Sequence, residues 1–112
     1  MPKQKAWGSD RCIKSNHCLA FHRIEVNAGG FCSEHLHAAR WNGFYVESGT
    51  LEVLLIDDQV TIKQTLEKGD WLEVEPGQVH QFRCIDDAVV FEVYWPDMNT
   101  EDIERITTGG IA

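Results

Sequence analysis

The chain is punctuated too often for anything but short strands. Between residues 19 and 95, no run much longer than about eight residues escapes a turn signal. The breaks are Asn27-Ala28-Gly29-Gly30, Ser48-Gly49, Asp57-Asp58, Lys68-Gly69-Asp70, Pro76-Gly77 and Asp86-Asp87. Gly supplies positive φ at such bends, and Asn and Asp bond their own backbone there; Pro76-Gly77 fits the two central positions of a type II turn. The intervening runs, 19–26, 31–37, 42–47, 50–56, 59–65, 71–74, 79–85 and 88–95, are rich in β-branched and aromatic residues. Short strands at this spacing define an all-β sandwich or barrel. No long 3.6-residue pattern interrupts them, which excludes a parallel α/β sheet.

One of these runs carries chemistry. Side chains two apart on a strand point to the same face, so His35 and His37 aim at one point. Two imidazoles so placed can share a metal ion. A third histidine, His80, follows the Pro76-Gly77 turn in a second strand unit that starts at Gly69. Convergence of the two units across a small barrel closes a three-histidine site. Solitary strand histidines such as His22 read instead as core or rim residues satisfied by a hydrogen bond.

At 112 residues the chain reads as one domain: an arm over 1–18, the barrel over about 19–96 and a tail over 97–112. The tail contains Asn99-Thr100-Glu101-Asp102-Ile103-Glu104-Arg105, with a cap residue, early acids and a later Arg, and is expected to form a short helical turn. No apolar run is long enough to span a membrane and no signal core follows the N-terminus, so a cytoplasmic location is expected. A formal charge of −8 repels phosphate backbones and argues against nucleic acid as a partner. Cys12, Cys18, Cys32 and Cys84 form no Cys-x-x-Cys pair, and reduced thiols are the expectation.

With these residues in place, the chain resembles the cupin family. One family signature runs from Gly through His-x-His and Glu to Gly; here Gly29, His35, His37 and Gly49 stand in that order. The second runs from Gly through Pro-Gly to His and Asn; here Gly69, Pro76-Gly77 and His80 match. The resemblance covers about residues 24–96 and implies a double-stranded β-helix, a jelly-roll barrel. It implies His35, His37 and His80 as metal ligands. Two positions depart from it: Asn42 stands where the family has its Glu ligand, and Cys84 where it has its final Asn. Asn42 either ligates weakly through its amide oxygen or hydrogen-bonds a bound water. The tail, Trp95-Pro96 with Asp102-Ile103-Glu104-Arg105, resembles that of sugar-phosphate isomerase-like cupins.

Three neutral imidazoles leave a divalent ion at formal +2, which favours an anionic small-molecule ligand. Such a donor set suits Fe, Zn or Ni, and Mn less without the carboxylate. The resemblance implies dioxygenase-like chemistry for three-histidine sites. Sugar or sugar-phosphate isomerase activity, or binding without catalysis, are the alternatives. Phe44, Phe82 and Phe91 are expected to line the substrate pocket. Tyr94 and Glu73 are the candidate proton donor and base. Exposed sheet edges, together with Trp7, Trp41, Trp71 and Trp95 in so short a chain, point to a homodimer.

Overall fold

A computed structural model describes residues 2–98 and 102–112. In chain order the strands are β1 (Lys3–Lys5), β2 (Gly8–Ser15), β3 (Ala20–Val26), β4 (Gly30–Phe31), β5 (His35–Leu36), β6 (Trp41–Ser48) and β7 (Leu51–Ile56). They continue as β8 (Thr61–Leu66), β9 (Trp71–Val74), β10 (Val79–Arg83), β11 (Ala88–Trp95), β12 (Glu104–Arg105) and β13 (Gly110–Ile111). Two antiparallel sheets face each other. One is six-stranded, in the order β1-β2-β3-β11-β6-β9. In the other, β10 pairs with β7 on one side and with β4 and β5 on the other; β8 extends it past β7, and β13 and β12 extend it past β4 and β5. The expected turns form, and Gly77 has φ +85°, as the second central residue of a type II turn requires. No helix among the described residues is long and apolar enough to cross a membrane.

Strand alternation divides the interior into an apolar half and a polar half. Along β11, Ala88, Val90 and Glu92 are buried in turn; along β6, Asn42, Phe44 and Val46 are. Cross-strand register aligns like with like: Val90 pairs with Ile24 and Val46, and Tyr94 with Asn42. Ile24, Val26, Val46, Leu51, Val53, Leu66 and Ala88 thus fill one end as continuous apolar packing. Burying such a side chain fully is worth about 1.5–3 kcal/mol. Phe44 and Phe82, 6.1 Å apart edge to face, close off this core. Beyond them the interior turns polar, and the histidines lie there.

Three expectations are corrected. Residues 1–18 are not an irregular arm: β1 and β2 form a hairpin, and β2 joins the sheet through β3. Most of β2 is exposed, so it has no buried face to impose alternation; backbone pairing alone orders it. Trp7, at the hairpin bend, anchors it, with its ring edge-on to Phe82 at 5.0 Å. The run 31–37 is not one strand: residues 32–34 lie outside any strand, and Cys32 turns inward and is buried beside Phe82. Finally, no helix occurs among the described residues. Asn99, Thr100 and Glu101 of the expected helical turn lie outside them, and Glu104–Arg105 pairs as a strand with Leu36 and His35. Interstrand bonding on an otherwise open edge outweighs a weak local helix signal.

Gly43 shows how tightly the outer face of the six-stranded sheet is packed, since a Cβ there would lie 2.0 Å from the Trp71 ring. Gly43→Ala is expected to lower stability by about 1–3 kcal/mol through overpacking. Trp71→Leu should recover most of that loss in the double variant, as urea unfolding of the four proteins will show.

Candidate metal centre

Three local backbone contacts fix the histidines. His35 Nδ1–H donates to the Ser33 carbonyl at 2.7 Å, with Ser33 Oγ at 3.0 Å. His80 Nδ1–H donates to the Gln78 carbonyl at 2.9 Å, across the residue following the Pro76-Gly77 turn. His37 Nδ1–H donates to the Asp102 carbonyl at 2.6 Å, reaching into the tail. Each ring therefore carries its proton on Nδ1 and turns a bare Nε2 lone pair inward. The ring centroids are 4.4 to 5.6 Å apart, and the ligand atoms all lie within 4.8 Å of one another. The rings are kept neutral. Burial, reinforced by the neighbouring His80, lowers His35 to about 3; burial lowers His80 to about 4 and His37 in the same direction.

Two observations test whether a cation fits. His37 Nε2 is buried with no hydrogen-bond partner. His80 Nε2 stands 3.1 Å from Asn42 Oδ1, one acceptor facing another. The Asn42 amide is oriented by its Nδ2, which donates to Glu92 Oε2 at 3.3 Å and lies 3.5 Å from the Val93 carbonyl. Reversing the amide would set its oxygen against that carbonyl. Acceptors so placed repel unless a cation lies between them, and two ligands at right angles on one ion sit roughly 3 Å apart at ordinary bond lengths. The residues present therefore fit a divalent ion held by three imidazoles, with the Asn42 oxygen beside it.

The remaining expected residues divide cleanly. Phe44 is fully buried, 6.3 Å from the His80 ring, and Phe82 lines the cavity above the histidines. Tyr94 lines the same cavity, 5.2 Å from the His37 ring. Glu73 and Phe91 are not brought to the site, which corrects both expectations. Glu73 is exposed on the outer face, where it accepts from the Trp71 indole at 3.1 Å. Phe91 faces outward against Phe21 at 5.5 Å, because it alternates with Glu92 on β11.

The acid missing from the expected set is Glu92. It is 4% exposed, bonds Asn42 and Tyr94, and lines the cavity. It is the single charge in the most apolar strand and shares its face with Tyr94, a signal legible in the sequence. Burial pushes its carboxyl up to about 7, against the hydrogen bonds from Tyr94 and Asn42 that favour the ionised form. His22, its neighbour across β3, is held by Asp10 at 2.7 Å, and that bond raises the His22 pKa.

The family profile described as "Cupin domain" matches residues 22–95, more than half the chain. The chain belongs to the cupin family. Among solved structures it is similar to KdgF from Halomonas sp., at 18% identity and a TM-score of 0.77, over 88% of this chain and 90% of that one. It is also similar to oxalate decarboxylase from Bacillus subtilis, at 14% identity and a TM-score of 0.77, over 95% of this chain but 30% of that one. The formate complex of Lactobacillus farciminis oxalate decarboxylase gives 16% and 0.80, with 33% of that chain covered. The chain thus spans about a third of the oxalate decarboxylases it matches. At these identities the likeness is one of fold. No curated protein sequence matches the chain.

The buried acid makes stability pH-dependent. Its folded pKa exceeds that of the unfolded chain, so the native state binds more protons between about pH 4.5 and pH 7, and stability falls as pH rises through that window. In metal-free protein, Glu92→Gln is expected to gain on the order of 2–3 kcal/mol at pH 8 and almost nothing at pH 4.5. Parallel pH–stability curves for the two proteins would contradict the buried-acid assignment.

Proposed function

We propose that this cupin is a mononuclear metalloenzyme acting on a small anionic molecule. His35, His37 and His80 hold the ion, and Asn42 occupies the fourth position. The supporting observation is the convergence of three Nδ1-anchored imidazoles with an orphaned Nε2 among them. The donor set suits Fe, Zn or Ni ahead of Mn, and with no carboxylate in it the ion keeps its full charge. When bound, such an ion supplies an electrophile with open coordination positions. The chain supplies the rest: Phe44 and Phe82 keep the floor of the site dry, and Tyr94 and Glu92 hold a proton at its wall. Four free thiols and the acidic surface suit a reducing cytoplasm.

Dioxygenase-like chemistry is favoured by the carboxylate-free donor set. Isomerase-like proton transfer is favoured by one specific observation, the Glu92–Tyr94 pair beside Asn42: a buried carboxyl near pH 7 is poised to give or take a proton. Oxalate decarboxylase, by its name, acts on a small dicarboxylate, which agrees with a small, electropositive site here. Elemental analysis of the purified protein is expected to find about one divalent ion per chain. His37→Ala should abolish it, and Asn42→Ala should weaken binding about 10- to 100-fold. Oxygen uptake by the iron-loaded protein separates the first chemistry from solvent-deuterium incorporation without oxygen, the sign of the second. Ligand-dependent melting with neither would leave a binding protein and overturn the enzyme assignment.

The protein is also proposed to be a homodimer. Trp41, Trp95 and Trp71 form a row on the outer face of the six-stranded sheet, with successive centroids 6.1 and 6.3 Å apart. Tyr45 and Phe91 extend it, and Trp71 and Tyr45 are 46% and 39% exposed. Arg23, Glu25 and Glu73 lie around these rings, the apolar centre and charged surround that a protein interface has. A second copy supplies the same aromatic surface in a two-fold contact. Light scattering is expected to give twice the chain mass, and Tyr45→Glu to give monomers with unchanged metal content.

A further inference from the structure

Some cations of this acidic protein are paired with surface carboxylates. Arg23 pairs with Glu25, and Lys63 and Arg83 both pair with Glu52. Lys5 and Arg105 have no ion-pair partner among the described residues, and both line the cavity over His35. The acids of that cavity do not answer them. Asp10 is engaged by His22 at 2.7 Å, and Glu92 is buried against Tyr94 and Asn42. Arg105 sits opposite His35 in the strand register, and its charge is felt at both His35 and His37. The cavity is about 230 Å³, below the usual range for drug-sized ligands. His35 is the one histidine of the cluster in its lining, while its cations come from β1 and β12, both outside the residues 22–95 matched by the family profile.

We propose that Arg105 and Lys5 form a carboxylate-recognition pair, so that the ligand is a small carboxylate carrying a second oxygen donor, such as a dicarboxylate or an oxo acid. Resting on the metal-centre reading above, this sets the second donor toward the histidines and the carboxylate toward β1 and β12. The guanidinium presents a fork matched to a carboxylate, and the ammonium adds a point charge. Neutral molecules of the same shape gain nothing from either and are rejected.

The test is calorimetric titration of metal-replete protein, its metal content measured separately, with malonate, succinate, pyruvate and the uncharged malonamide. At least one carboxylate is expected to bind and malonamide not to. Arg105→Gln and Lys5→Gln should each weaken binding about tenfold or more with metal content and melting temperature unchanged, and Arg105→Lys should retain part of the affinity. Equal affinity in both Gln variants, equal binding of malonamide, or no binding of any carboxylate by metal-replete protein would overturn the proposal. A protein that lacks metal yet loses carboxylate binding on Arg105→Gln would overturn the metal reading and leave the recognition pair standing.

Discussion

Everything at the polar end of the barrel depends on three N–H···O=C bonds, from His35, His37 and His80 to the carbonyls of Ser33, Asp102 and Gln78. An imidazole free to choose its tautomer would place a proton where a cation needs a lone pair. By committing Nδ1 as donor, each bond fixes both the ring's rotation and its chemistry before any ion arrives. The acceptors are backbone atoms, which cannot titrate or change rotamer. Burial reinforces the arrangement, because a neutral ring costs far less to desolvate than a charged one. The three backbone contacts therefore orient the rings as one ligand set.

Negative charge is distributed differently from what the family resemblance implies. Asn42 occupies the position of a ligating carboxylate, and the buried carboxylate stands on the neighbouring strand as Glu92, bonded to Asn42 at 3.3 Å. The Asn42 amide, bonded to the acid and facing His80, adds no charge of its own. Shut away from water, the acid has its carboxyl pushed up to about 7 by burial. In the proposed metal centre, an amide in place of the carboxylate would leave a bound ion with more of its charge.

Much of this was legible in the sequence, for identifiable reasons. The turns and central strands carry local signals, and the histidines share strand parity or follow a Pro-Gly turn, so their convergence could be read. What escaped notice has no local signature. The strand β2 is largely solvent-exposed, so nothing in its side chains alternates. The tail strand β12 displaces a weak helix pattern by bonding to β5, a partner far away in the chain. Phe91 and Glu73 were assigned inward, although the parity that turns Tyr94 toward the site turns Phe91 away. The same parity turns Glu92 inward, a charge readable from its place in the apolar strand. Lys5 belongs to no motif and Arg105 only to the tail stretch; only folding brings β1 and β12 to one cavity.

The tail joins the anchoring of His37 to the wall of the cavity. Asp102 accepts from the backbone N–H groups of Ala38, Ala39 and Arg40 through its carboxylate, and from His37 through its carbonyl. Ile103 and Arg105, directly after it, line the cavity. Lifting this strap would open the cavity and release the His37 ring together. Any ion that requires His37 in its anchored rotamer then binds only the docked tail, and by linkage stabilises docking in proportion to its own affinity. Residues outside the family-matched range 22–95 thereby bear on both the anchoring of His37 and the lining of the cavity.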